Sequence, residues 1–188
     1  MIIEAAMRFQ LSFFLLSLLL GGRGIAQDGS AKPLRVGDPA PDFALPFATK
    51  DSVCAEKLQL SALFGKQKIV LAFYPADWSG GCTKEMCAMR DNFSDLATLD
   101  AVVLPISGDY EYSHHEWAKF HNLPFRLLAD HSHAVSRMYN SFNQESGFDN
   151  RTVYVIDRQG KIAYVDPKYT VRDMNSFEKL KEALKGLN

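Results

Sequence analysis

The sequence predicts an α/β fold, a mixed central sheet flanked by helices. Two observations carry this. Short apolar runs that suit strands, at 68–73 and 101–106, alternate with segments whose apolar residues recur at helical spacing. Later, two strand-like runs at 152–156 and 161–165 flank Asp157-Arg158-Gln159-Gly160, a hairpin signal that adds an antiparallel pair. With 188 residues and no internal repeats or low-complexity stretches, the chain fits one domain with a sizeable core.

Taken in order, residues 1–26 read as a signal peptide. Residues 13–20 form most of a short apolar region, too short to span a bilayer. Arg8 supplies the positive end, and Gly24-Ile25-Ala26 is a small-residue cleavage site. Glu4 fits this pattern poorly, which makes Met7 an alternative start, and an uncleaved N-terminal anchor is the minor reading. No cysteine precedes Cys54, so a lipoprotein anchor is not expected. Residues 27–35 are a flexible lead-in and 36–188 the folded domain. Residues 36–47 hold three prolines among alternating apolar residues and predict an extended edge segment with turns. Residues 60–64 suit a helical turn, 68–73 a buried strand, 81–99 a helix and 101–106 a central strand. Residues 112–121, with Trp117 and Phe120, and 134–139 predict two more helices. Residues 176–187 close the chain as a helix with Phe177, Leu180 and Leu184 on one face.

The most informative stretch is 74–92, YPADWSGGCTKEMCAMRDN. The buried strand before it gives way to turn formers at Pro75, Asp77, Ser79, Gly80 and Gly81. Met86, Met89, Phe93 and Leu96 then mark a helical core face, with Cys82 on that face in the first turn. Unpaired N–H groups and the macrodipole favour an anion at a helix N-terminus, and only the thiolate of cysteine is a good nucleophile. A lone cysteine here would more often be an inert packing residue. A second one, Cys87, points to thiol chemistry. Residues five apart on an ideal helix have Cα atoms about 8.7 Å apart, whereas a disulfide needs roughly 4.4–6.8 Å. Either the two never bridge, or the helix unwinds when they do. Thr83, Lys84 and Glu85 lie outside the apolar stripe, so opening the first turn is expected to expose little core.

Pro75-Ala-Asp-Trp-Ser79-Gly-Gly-Cys82 resembles the peroxiredoxin signature, Pro-x-x-x-Thr/Ser-x-x-Cys. Cys87 is similar to the resolving position of the peroxiredoxin Q, or bacterioferritin-comigratory, type. The likeness runs from about Val36 to the C-terminus. It takes in GDPAPDFALP at 37–46, Ser113-His114, LPFRLLAD at 123–130, and Arg151 with Ile156-Asp157 before Gly160. Ser79 stands where Thr is commoner, Gly80 where this subtype often has Pro, and Trp78 replaces a usual Phe. None of these removes a catalytic group. The resemblance implies a thioredoxin fold. It also assigns roles: Cys82 the peroxidatic cysteine, Cys87 its resolving partner, Ser79 a hydroxyl that orients the peroxide, and Pro75 a shield against water. Arg151 would be a guanidinium that stabilises the thiolate and donates to a peroxide oxygen. Read from the residues alone, Ser79 is equally a turn or N-cap hydroxyl, Pro75 a strand terminator, and Arg151 a solvated arginine at a strand start.

Cys54 lies outside the motif and receives no catalytic role. His131-Ser132-His133 could ligate a metal, but no carboxylate or cysteine completes a ligand set. Asn92-Phe93-Ser94 and Asn150-Arg151-Thr152 match the glycosylation pattern by chance. Loss of Arg8, Arg23 and Glu4 with residues 1–26 takes 21 basic and 22 acidic residues to 19 and 21, a net of −2, which suggests neither nucleic acid nor an anionic membrane as partner.

The reading is therefore an exported thiol peroxidase that reduces hydrogen peroxide and organic hydroperoxides with no cofactor. The resemblance implies a thioredoxin-like dithiol as reductant. After signal cleavage no stable membrane association is expected, and the protein is expected to be a monomer or weak dimer. One rival is an exported thiol-disulfide oxidoreductase acting on protein cysteines, which would favour the absent Cys-x-x-Cys. The other is a non-enzymatic metal-binding module of Cys82, Cys87 and a histidine, which a neighbouring Arg151 would oppose.

Overall fold

The computed structural model describes residues 32–170 and 174–187. The signal peptide reading at 1–26 and most of the 27–35 lead-in lie outside them. Among the described residues no helix is long and apolar enough to cross a membrane.

Strands β1 (Ala44–Ala48), β2 (Val53–Gln59), β3 (Lys68–Phe73), β4 (Ala101–Ser107), β5 (Leu127–Ala129), β8 (Thr152–Ile156) and β9 (Ile162–Asp166) form one sheet in the order β2-β1-β5-β4-β3-β8-β9. The central strands β5, β4 and β3 run parallel, and the flanking pairs are antiparallel. The sheet is mixed, as predicted. β3 is KIVLAF with all six residues buried, as a strand covered on both faces must be. Its alternate side chains feed two cores. Val70 and Ala72 face one, with Cys82, Met86, Met89 and Trp117, and Ile69, Leu71 and Phe73 face the other, with Leu104, Tyr139 and Tyr154.

A 3-10 turn at Leu60–Leu63 and helices α1 (Gly80–Asp91), α2 (Phe93–Thr98), α3 (Glu111–His121), α4 (Ala134–Met138) and α5 (Met174–Lys185) fill the connections. Short strands β6 (Phe142–Asn143) and β7 (Phe148–Asp149) pair with each other. The β8–β9 hairpin turns where expected. Asp157 accepts from Gly160 N (3.0 Å) and Gly160 takes φ +77, a value glycine adopts without penalty.

Two expectations need correction. The segment at 36–47 is not a sheet edge. Its strand, β1, pairs on both sides, with β2 and β5. Pro46 is tolerated because it sits where the β1–β2 register shifts and only Phe47 and Ala48 pair with β5. The edge on this side of the sheet is β2, whose Glu56, Lys57 and Gln59 are exposed and broke the apolar pattern. The single helix at 81–99 is two helices. Asn92 donates from its side chain to Ala88 O (2.8 Å), competing with the helical ladder, and its backbone leaves the helical region. Met86, Met89 and Leu96 are buried as predicted; the Phe93 side chain lies outside the described residues.

Candidate active site

The site forms at the carboxyl end of β3. Tyr74 N donates to Ile106 O (3.0 Å), so the chain leaves the sheet beside β4, turns through 75–79 and enters α1. Ser79 is the N-cap. Its Oγ accepts from Cys82 N (3.3 Å) and its carbonyl from Thr83 N (2.9 Å). Cys82 therefore stands in the first turn, wholly buried, with the helix N-terminus supplying positive potential. Antiparallel pairing of Phe73 with Thr152 brings the residue before Thr152 to this same end. That residue is Arg151, and its Nη2 donates to Cys82 Sγ (3.3 Å). Gly81 makes the approach possible, since a Cβ there would lie 2.7 Å from Arg151 Nη2. A side chain at 81 would push the guanidinium away from this position, whereas the backbone of the turn does not itself call for glycine.

Arg151 Nη1 also donates to Glu85 Oε2, and Glu85 has no exposed side-chain surface. Burial pushes the Glu85 carboxyl up to about 7, against the lowering influence of the Arg151 charge and hydrogen bond. Burial acts to lower the Arg151 guanidinium, but the charges of Glu85 and Cys82 outweigh it and hold it above its ordinary value. Tyr169 N donates to Arg151 O (3.1 Å), and burial followed by the Glu85 charge holds the Tyr169 phenol well above the usual tyrosine range. Glu85 thus overturns the expectation that opening the first turn exposes little. Positions 82, 85, 86 and 89 share one helix face, and a carboxylate at helical spacing among apolar residues was the available signal.

Cys87 is half-buried, in the same helix as Cys82, and both are free thiols. With the two cysteines five positions apart on one helix, a disulfide needs the first turn to unwind. Pro75 is half-buried, directly after Tyr74. Cys54 sits on β2, with β1, β5 and β4 between it and β3, and its Sγ lies 3.7 Å from Ser52 Oγ. The histidines are engaged elsewhere. His115 donates to Thr49 O (2.8 Å), His131 contacts Tyr110 Oη (2.6 Å), and His133 pairs with Asp149 (2.9 Å). Among the described residues no group of three His, Cys, Asp or Glu could hold a metal ion. On the other side of the loop lies a group the sequence reading did not single out: Asp77, buried with Tyr74 and His114.

The chain is similar to known proteins in sequence and in fold. The AhpC/TSA family profile matches residues 36–165. Over 144 residues the chain is 40% identical to a bcp peroxiredoxin of Coxiella burnetii, covering 73% of this chain and 91% of that protein. It is 34% identical to peroxiredoxin Bcp of Bacillus subtilis over 74% of this chain and 89% of that one. Chloroplastic peroxiredoxin Q of Triticum aestivum is 38% identical, covering 69% of this chain and 57% of that one. Among solved structures, peroxidoxin BcpB of Mycobacterium tuberculosis superposes with a TM-score of 0.70 at 27% identity, over 82% of this chain and 99% of that one. The fold is thus the thioredoxin fold of the peroxiredoxins, and the chain belongs to the AhpC/TSA family as a thiol-dependent peroxidase of the Bcp/peroxiredoxin Q type.

Proposed function

We propose that Cys82 is the peroxidatic cysteine and Cys87 its resolving partner. The Cys82 thiolate attacks one peroxide oxygen. The O–O bond breaks, the other oxygen leaves with a proton as water or an alcohol, and Cys82 becomes a sulfenic acid. Cys87 then attacks the Cys82 sulfur, an S–S bond forms and water departs. A thioredoxin-like dithiol reduces the disulfide and returns both thiols. Arg151 holds the thiolate and donates to the peroxide, Ser79 orients it while capping α1, and Pro75 shields the sulfur. The single observation that supports this most is the 3.3 Å contact of Arg151 Nη2 with a fully buried sulfur at a helix N-terminus. Cys82→Ser should abolish consumption of hydrogen peroxide. Cys87→Ser should consume roughly one equivalent, then stall as sulfenic or sulfinic acid. Full turnover in Cys82→Ser with loss in Cys54→Ser would reassign the chemistry. Added disulfide-bonded protein substrates should not be turned over faster than peroxide.

The same reading has the protein act outside the cytoplasm, as a monomer or weak dimer, after removal of residues 1–26. The apolar run at 13–20 and the small residues Gly24 and Ala26 support this. Mass spectrometry of protein from its native host should find a mature N-terminus near Gln27. A soluble pool with Met1 or Met7 intact would refute export.

A further inference from the structure

Asp77 holds the loop that leads to Cys82 from several directions. Its Oδ1 accepts from Tyr74 Oη (2.8 Å), at the end of β3. Its Oδ2 accepts from Ser113 Oγ (2.8 Å) and from His114 Nδ1 (2.9 Å), both on α3. His114 Nε2 lies 3.2 Å from Leu128 O on β5, and the side chains of Asp77 and His114 have no exposed surface. The Asp77 backbone is fixed as well. Its N–H donates to Asp109 Oδ2 (2.8 Å), which Ser107 Oγ also holds (2.8 Å). Its carbonyl accepts from Ser79 N (2.7 Å), closing a tight turn centred on Trp78. Trp78 takes φ +58, a conformation that a bulky residue keeps only when its surroundings enforce it. The next residue is the N-cap whose hydroxyl accepts from Cys82 N.

None of these bonds reaches the sulfur, so Asp77 does not touch the reacting atoms. We infer that Asp77 is a positioning residue, a latch between α3 and the 75–79 loop that sets the balance between peroxide attack and disulfide closure. Attack needs Ser79 and the first turn of α1 in place. Closure needs that turn unwound, because the Cα atoms of Cys82 and Cys87 must come from about 8.7 Å to within roughly 7 Å. The turn cannot unwind while Ser79 is held through Trp78 and Asp77. Weakening the latch should therefore slow the first step and leave the second as fast or faster. This rests on Cys87 being the resolving cysteine.

The test is single-turnover stopped flow with hydrogen peroxide on Asp77→Asn, which keeps the shape but not the charge. Ser113→Ala, which removes one of the three side-chain donors, is the milder companion. Trp78 and Trp117 are the fluorophores. In Asp77→Asn the peroxide step should fall about tenfold or more while closure holds or accelerates, and less Cys82 should reach sulfinic acid at a given peroxide dose. Ser113→Ala should move the same way by about two- to fivefold. A purely structural role would depress both steps together and leave the sulfinic fraction unchanged. If the two rates fall in parallel in Ser113→Ala, or its sulfinic fraction rises, the latch is refuted. Peptide mapping of oxidised wild-type protein separates the premises: no Cys82–Cys87 disulfide there sinks the Cys87 assignment and the latch with it. A disulfide with unmoved partition in the variants sinks the latch alone.

Discussion

Two buried carboxylates serve the first turn of α1, and they are provided for very differently. Asp77 receives three side-chain donors, spread over both oxygens. Glu85 receives one, from Arg151, on Oε2, while its Oε1 is buried with no hydrogen-bond partner among the described residues. A satisfied buried carboxylate fixes geometry, since breaking any one of its bonds strands a polar atom. Burial pushes the Glu85 carboxyl up to about 7, and a single donor on one oxygen only partly opposes it. The loop before Cys82 is thus clamped by Asp77, whereas Arg151 on the far side of the sulfur shares its guanidinium with a group that titrates close to neutral pH.

The largest effect expected of that contrast comes from Arg151→Ala. It removes the donor to Cys82 Sγ, and loss of one positioned donor to a reacting atom costs about 10²–10³ in rate. Arg151→Lys should recover part of this, because a point charge replaces the cation but not the planar fork that reaches both Sγ and Glu85. Stability should suffer less than rate. Breaking a buried ion pair ordinarily costs about 3–5 kcal/mol, because a charge is left behind. Here the influences that lower the Glu85 carboxyl both come from Arg151, so its loss drives Glu85 to the neutral form at pH 7. Peroxide kinetics with thermal melts would check this. A rate within threefold of wild type would remove Arg151 from the chemistry.

Much of the fold was legible because the relevant signals are local. The six-residue run of β3, the Asp157–Gly160 turn and the spacing of Phe177, Leu180 and Leu184 each declare an element within a short window. The thiol site was legible for the same reason: Ser79 and Cys82 share one turn. Arg151 needed the family resemblance, since nothing near it in the sequence says that antiparallel pairing of β3 with β8 carries it to the sulfur. Asp77 was not legible, because its partners Ser113 and His114 lie 36 and 37 residues away and meet it only through the β4–α3 crossover. β2 was hidden by the charges of an edge strand. Glu85 was hidden by habit, as glutamate in a first turn is usually solvated and here points inward.

The smaller effect belongs to Glu85 itself. Its carboxyl binds a proton more tightly folded than unfolded, moving from 4.5 to about 7. The native state therefore holds more protons between these values, and stability falls as pH rises through that window and levels off above it. Integrated over the window, the loss is on the order of 3 kcal/mol. Glu85→Gln cannot titrate, and it keeps an oxygen to accept from Arg151. At pH 5, near the start of that window, the unfolding free energies of the variant and the wild type should differ by less than about 1 kcal/mol. At pH 8 the variant should be the more stable of the two. Asp149, which burial pushes up to about 6, contributes a slope of the same sign to both proteins and cancels in the difference. Urea unfolding of the two proteins at pH 5, 6, 7 and 8 measures that difference directly. A gap that stays constant across the series would mean that Glu85 keeps its charge throughout, paired with Arg151 as firmly as Asp77 is with its three donors.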